Sequence, residues 1–94
     1  MDEHEVASRA SKLPDQFASR ISLKTLETLR AMDRGGEYGE LTIELAAALA
    51  ANGASVSADE RDELRALLDA MRMPNDPIEH LSSDSVLLGP ADGC

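Results

Sequence analysis

Apolar residues recur along most of this chain at the spacing of an α-helix, and Gly and Pro separate them into segments. The weakest segment covers residues 2–12, which carry few large apolar side chains. We expect Pro14 to end this first helix and Asp15 to cap the next one. From Phe17 the apolar residues again follow helical spacing. A shift in their phase around Ser22 predicts either a kink or a new helix capped by that serine.

Two glycines mark the end of the second helical segment. The run 33–36, Asp-Arg-Gly-Gly, predicts a helix stop in which Gly35 takes the left-handed conformation that follows a helix. We expect the next helix to run from about Glu37 to Asn52, where Asn52 and Gly53 form a strong stop signal. Its apolar residues form two stripes, so we predict a central helix with neighbours on both sides.

The last long helix has the clearest local signature. Ser57 and Glu60 stand three residues apart at its start, which is the spacing of a capping box. One buried face is predicted from the apolar residues that follow at helical spacing: Leu64, Leu67, Leu68 and Met71. The Pro-containing run 73–77 should end the helix, and residues 78–81 form a short turn that we expect to fold back onto the core.

Together these patterns predict an all-α protein, a small helical bundle of three main helices plus a weak N-terminal helix and a flexible C-terminal tail. The 94 residues suffice for one domain, which we place at residues 1–81. Residues 82–94 are rich in Ser, Asp, Gly and Pro, and we predict that they form a disordered tail. The core of such a bundle is small, so a homodimer or a bound partner would add stability.

The charge of the chain narrows the classes of partner. It carries 18 acidic residues against 9 basic ones, a net charge of −9 at pH 7. This excess disfavours nucleic acid and anionic membranes, because phosphates attract Lys and Arg. It favours a basic protein partner, whose approach an acidic surface accelerates; the alternative interpretation is that the acidity only keeps the protein soluble. The start is acidic, unlike a signal peptide, and no apolar run could span a membrane, so we expect a cytoplasmic location.

The sequence contains no recognisable pattern for catalysis, a metal or a cofactor. His4 and His80 stand at opposite ends of the chain and Cys94 is its last residue, so no pair of ligands has a usable spacing. Neither histidine has a nucleophile beside it. The two glycines at 35–36 are followed by acidic residues and lack the Lys of a phosphate-binding loop. We therefore predict a non-enzymatic protein without metal or cofactors.

The remaining candidate for function is an acidic surface with one aromatic residue. The candidate partner-binding side chains are Glu37, Tyr38, Glu40, Glu44, Asp59, Asp62 and Glu63. The glutamates of the central helix form one stripe. Tyr38 stands beside it and is an aromatic anchor of the kind enriched at interface centres. The acidic residues of the last helix form a second acidic surface. The alternative interpretation is that the acids are solvated or favour helix starts, and that the tyrosine ring packs over the preceding helix.

The central and last helices also resemble a known family. The matching segments are Gly-Glu-Tyr-Gly-Glu-Leu-x-Ile-Glu-Leu at 36–45, Leu49, Val-Ser-x-x-Glu at 56–60 and Leu-x-x-Leu-Leu-x-x-Met at 64–71. This pattern resembles the Maf-type and related immunity proteins of bacterial polymorphic-toxin and contact-dependent inhibition systems. It covers about residues 20–73 and departs from the family at 54–56, where a Pro is common. The resemblance implies an immunity protein that binds a cognate toxin domain, such as a basic nuclease, and occludes its active site.

A second class of function remains open. A non-enzymatic helical adaptor, a secretion chaperone or a regulatory subunit would have the same composition and would need no toxin. Gene neighbourhood distinguishes the two classes, because an immunity gene lies directly after a toxin gene. Residues 83–88 are also similar to the attachment site of acyl carrier proteins. However, Ser85 stands too close to the end of the chain to begin the long helix that such a site requires.

Overall fold

The protein folds into a bundle of helices, which confirms the all-α class predicted from the sequence. The computed structural model describes residues 1–74, 76–79 and 81–83. Within these ranges the helices are α1 Glu3–Gln16, α2 Leu23–Arg34, α3 Tyr38–Ala51, α4 Ala58–Ala70 and the short α5 Asp76–Glu79. A 3-10 turn, Ala18–Arg20, follows α1, and two short strands, β1 Ser55–Val56 and β2 Ser82–Ser83, pair in parallel.

Consecutive long helices run antiparallel. Between α1 and α2, the hydroxyl of Ser11 donates to Asp33 Oδ1 over 2.6 Å, and Arg30 Nη2 donates to Asp15 Oδ1 over 2.8 Å. Residue numbers therefore rise along one helix as they fall along the other. Short connections then reverse the chain from α2 to α3 and from α3 to α4. The starts of α1 and α3 consequently meet the last turns of α2 and α4 at one end of the bundle.

Helix α3 is the centre of the core, as its two apolar stripes predict. It packs against α1, α2, α4 and α5. Leu41, Leu45, Ala46 and Leu49 are fully buried along it. The polar side chain of Thr42 is buried as well, and its hydroxyl donates to the backbone carbonyl of Tyr38 over 2.8 Å. Because that hydrogen bond satisfies the hydroxyl, the polar group fits an otherwise apolar core.

The first helix is longer than the sequence suggests. We expected Pro14 to end α1, but the helix continues through it to Gln16, and Asp15 lies inside it instead of capping α2. Pro14 stands in the last turn, where its ring removes a single backbone hydrogen bond and its fixed φ is already helical. The ring is also buried in the core, which offsets that loss. Ser22 caps α2 by accepting a hydrogen bond from Thr25 N–H over 3.1 Å, as predicted.

The stop after α2 uses the second glycine and not the first. Gly36 takes the left-handed conformation with φ 72°, whereas Gly35 stays in the right-handed helical region. Gly36 N–H donates to Asp33 O over 3.1 Å, and Glu37 N–H donates to Met32 O over 2.9 Å. This pair of bonds defines a Schellman motif, in which the residue just beyond the C-cap is left-handed. The prediction for Gly35 was therefore wrong by one residue.

The ends of α3 and α4 repeat the same motif with different residues. Gly53 is left-handed after α3, with φ 63°, and confirms the predicted stop. After α4 the left-handed position belongs to Arg72, with φ 57°, which the sequence does not indicate. Met73 N–H donates to Leu68 O over 2.8 Å and Arg72 N–H to Asp69 O over 3.1 Å, so the hydrogen bonds match those of the glycine motifs.

The chain folds back after α4, as predicted. Ile78 is fully buried and Leu81 is nearly so, and α5 packs against α3 and α4. Arg61 Nη2 holds this segment by donating to the carbonyl of Leu81 over 2.7 Å. The first two residues of the predicted tail form β2, paired with β1. The remaining tail, 84–94, together with His80, lies outside the described residues.

Candidate partner-binding surface

The acidic stripe predicted on the central helix lies at the surface. Glu37, Glu40 and Glu44 are exposed, and Tyr38 is half-buried at the first position of α3. Glu37 occupies the N-cap position, but its side chain makes no capping hydrogen bond. The carboxylate is therefore not engaged in holding the helix start. A negative charge at this end of a helix is nonetheless favoured by the helix dipole.

Tyr38 lines an open groove that the sequence does not reveal. The groove has a volume of about 730 Å³. It lies at the end of the bundle where the starts of α1 and α3 meet the last turn of α4. Its lining comes from three segments that are distant in the chain: Met1, Glu3, His4, Val6, Ala7, Gly36, Tyr38, Gly39, Ala70 and Met71. The lining is mostly apolar or small, and Tyr38 is its aromatic member. We call this site the Tyr38 groove.

The second predicted acidic surface is only partly free. Asp59 and Asp62 are exposed in the first turns of α4. Glu63 is half-buried and pairs with Arg9 of α1, with 3.2 Å between Arg9 Nη1 and Glu63 Oε1. Arg9 also pairs with Glu5 over 2.6 Å. The charge of Glu63 is thus balanced by Arg9 of α1. Asp59 and Asp62 are the exposed part of this surface that a partner could reach.

The two predicted surfaces lie apart from each other. The Tyr38 groove includes Ala70 and Met71, at the end of α4, whereas Asp59 stands at its beginning. Eleven helical positions separate Asp59 from Ala70, which corresponds to roughly 16 Å at about 1.5 Å per residue. Of the predicted residues, only Tyr38 lines the groove; Glu37 and Glu40 are exposed near it in the sequence, and Asp59 and Asp62 lie away from it.

The strongest electrostatic feature of the described residues is an ion pair that joins α4 to the segment after α1. Arg20 Nη1 and Nη2 donate to the two carboxylate oxygens of Glu60, each over 2.7 Å. The guanidinium lies 4.5 Å from the centroid of the Phe17 ring and also donates to Ser55 O over 3.1 Å. The hydrogen bonds from Arg20 are the main cause that lowers the pKa of Glu60 to about 2.

Glu60 also closes the predicted capping box. Ser57 Oγ accepts a hydrogen bond from Glu60 N–H over 3.1 Å, and Glu60 Oε1 accepts one from Ser57 N–H over 3.0 Å. Every contact of the Glu60 carboxylate therefore serves to hold elements together, and none is directed at the Tyr38 groove. We interpret the perturbed pKa as structural and not as the sign of a catalytic site.

The described residues contain neither a cluster of metal ligands nor a helix that could span a membrane. No cluster of three or more His, Cys, Asp or Glu side chains in the described part of the chain could hold a metal ion. Among those residues, no helix is both long enough and apolar enough to cross a membrane. Cys94 and Ser85 lie outside the described residues.

Comparisons with known proteins do not narrow the function further. No protein-family model, curated protein or solved structure matches this chain. The similarity to bacterial immunity proteins therefore rests on the residue pattern at 36–71 alone, and membership of that family stays a prediction.

Proposed function

We propose that this protein is an immunity protein, which binds a basic toxin domain at the Tyr38 groove and blocks the toxin by occlusion. The observation that carries the proposal is the arrangement at the start of α3. A half-buried tyrosine lines an open groove whose surface is partly apolar and partly polar, and the exposed carboxylates of Glu37 and Glu40 flank that tyrosine in the sequence. An aromatic anchor within an apolar patch that has a charged rim is the usual anatomy of a protein interface.

The charge of the chain agrees with a basic partner. A net charge of −9 on 94 residues produces a negative potential around the whole molecule, which accelerates encounter with a positively charged protein. Apolar contacts in the groove would then slow dissociation, because affinity differences lie mostly in the off-rate. The toxin as the class of partner follows from the resemblance at residues 36–45, which includes Glu37, Tyr38 and Glu40.

Co-expression tests this function directly. The chain is expressed together with the product of the neighbouring gene, which the proposal expects to be a toxin, and growth rescue and co-purification of the complex are measured. We expect the wild type to rescue growth and Tyr38→Ala to lose most of the rescue. Leu23→Ala serves as the control, because Leu23 is a large apolar side chain that is 70% exposed and lies outside the groove.

The outcomes separate the two classes of function. Absence of both rescue and complex would refute the immunity proposal. A stable complex without rescue would favour the helical adaptor or regulatory subunit. Circular dichroism of Tyr38→Ala confirms that the variant is folded before its binding is interpreted.

A further inference from the structure

We infer that the Tyr38 groove accepts a segment of the partner in which large apolar side chains are flanked by Lys or Arg. The inference deepens the proposed function and rests on it for the identity of the natural partner. The chemistry of the segment, however, follows from the groove itself. Its shape, its lining and the charge around it each constrain the occupant.

The shape favours a segment of a macromolecule. The groove measures about 730 Å³ and is open to solvent. Sites for small molecules usually enclose most of the ligand surface, which an open groove between three helix ends cannot do. A side chain carried on a larger partner needs no such enclosure, because the partner itself covers the rim.

The lining favours large apolar side chains. Met71 and Tyr38 offer a thioether and an aromatic ring, and Ala7 and Ala70 add short side chains between the helices, whereas the Met73 side chain occupies the space beside Gly39. Methionine is unbranched and polarisable, so it adapts to side chains of different shape. The short side chains of Ala7 and Ala70 allow an inserted group to approach the backbones of α1 and α4 closely.

The charge around the groove favours flanking Lys or Arg. The segments that surround it, 1–7, 33–40 and 69–72, contain two arginines, Arg34 and Arg72, and one histidine, His4, which lines the groove. Their acidic side chains are Asp2, Glu3, Glu5, Asp33, Glu37, Glu40 and Asp69. Glu3 lines the groove itself, and Glu37 and Glu40 are exposed next to Tyr38. A segment with an acidic flank would meet repulsion on this rim, whereas a basic flank would be attracted.

Peptide titration tests the inference without the natural partner. The probe is a fluorescein-labelled helical peptide of about 14 residues, in which Leu recurs every three or four positions and Lys occupies the other positions, a spacing that gives one apolar face. One control peptide replaces Lys by Glu, and another replaces Leu by Ser. We expect the first peptide to bind at least about tenfold more tightly than either control, because only it satisfies both groove and rim.

A matched pair of variants locates the binding site. Ala70→Trp fills the groove, while Ala47→Trp adds the same side chain at an exposed position of α3 that is outside the lining. We expect Ala70→Trp to weaken binding of the Leu/Lys peptide by about tenfold or more, and Ala47→Trp to leave it unchanged. Equal binding to both variants, or equal binding of the Glu-containing peptide, would overturn the inference.

Two further outcomes separate this inference from other interpretations. If Ala70→Trp loses the peptide yet still rescues cells from the toxin, the toxin binds elsewhere on the surface: the groove inference fails, and the immunity function stands without the groove as its site. If the peptide binds at the groove but no toxin is neutralised, the groove inference stands and the immunity proposal fails. Sedimentation velocity tests whether a second copy of the chain occupies the groove. A dimer that Ala70→Trp converts to monomer would assign the groove to self-association and overturn the inference.

Discussion

Arg20 and Glu60 form two parallel hydrogen bonds, each 2.7 Å long, across forty positions of the chain. The pair links the 3-10 turn after α1 to the first turn of α4. The same guanidinium stacks on Phe17 and reaches the carbonyl of Ser55 in β1. Planar, bidentate recognition of this kind is specific to arginine. One ion pair therefore fixes the relative positions of three segments at the end of the bundle opposite the Tyr38 groove.

The first prediction concerns the stability of the protein in acid. The pKa of Glu60 is lowered in the folded state from 4.5 to about 2. A group whose folded pKa is depressed contributes stability that is complete above its unfolded pKa and is lost as the pH falls toward its folded pKa. We therefore expect about 1–3 kcal/mol of the free energy of unfolding to disappear between pH 5 and pH 2. Urea unfolding across that range measures the loss.

Glu60→Gln isolates this contribution from that of the other carboxylates. Glutamine keeps a capping-box side chain but has no charge to pair with Arg20. The difference in unfolding free energy between wild type and variant should be largest near pH 7 and should shrink toward zero at pH 2–3. A difference that does not change with pH would show that the Arg20 pair does not set the pKa of Glu60.

The second prediction concerns the left-handed residue after α4. Arg72 adopts φ 57° in a hydrogen-bonding motif that uses glycine after α2 and α3. A side chain in this conformation costs roughly 1–2 kcal/mol, which glycine avoids at some entropic cost in the unfolded chain. Arg72→Gly should therefore raise the free energy of unfolding by about 0.5–1 kcal/mol. Gly53→Ala, which creates the opposite change at φ 63°, should lower it by about 1 kcal/mol. Thermal and urea unfolding decide both signs.

The third prediction concerns the central position of α3. Leu45 is fully buried, and α3 packs against every other helix in the described part of the chain. Leu45→Ala should therefore lower the free energy of unfolding by about 2–5 kcal/mol, since it removes apolar contacts and leaves a cavity. Leu23 is 70% exposed, so Leu23→Ala should change it by less than about 0.5 kcal/mol. Similar losses for the two variants would contradict a core centred on α3.

Features formed by residues that are close together in the sequence were predictable. The capping box of Ser57 and Glu60 spans three positions, and the cap at Ser22 also bonds three positions ahead. The two apolar stripes of α3 identified the central helix because a helix that is apolar on two sides packs against neighbours on both of them. Choices that depend on a small energy difference were harder. Either Gly35 or Gly36 could have taken the left-handed position, and the structure has Gly36 there.

Features that depend on the packing of distant segments were not predictable. Pro14 is buried inside the last turn of α1, and burial depends on the whole fold, which no local rule expresses. The Arg20 pair requires α1 and α4 to be neighbours. The sequence pointed only to the part of the Tyr38 groove near the start of α3. The rest of its lining comes from residues 1–7 and from the end of α4, which are distant in the chain.

The last prediction concerns the rate at which a basic toxin domain binds under the proposed function. Glu40 is exposed in the first turn of α3, two residues after Tyr38, and Glu27 is exposed on α2. Glu40→Lys and Glu27→Lys change the net charge by the same amount, so any long-range effect of total charge is equal in both. Under the proposed function, Glu40→Lys also places a positive charge close to the bound toxin. At the interface this repulsion acts over less than a Debye length, about 10 Å at 0.1 M salt, so it slows association further for this variant alone.

We therefore expect Glu40→Lys to slow association by about tenfold at low salt, and Glu27→Lys to slow it much less. Stopped-flow fluorescence from 20 to 500 mM NaCl, a range expected to reduce the Debye length from roughly 20 Å to about 4 Å, measures both rates. The gap between the two variants should narrow as salt rises, because screening weakens the local repulsion. Equal association rates at every salt concentration would place the encounter surface away from the start of α3.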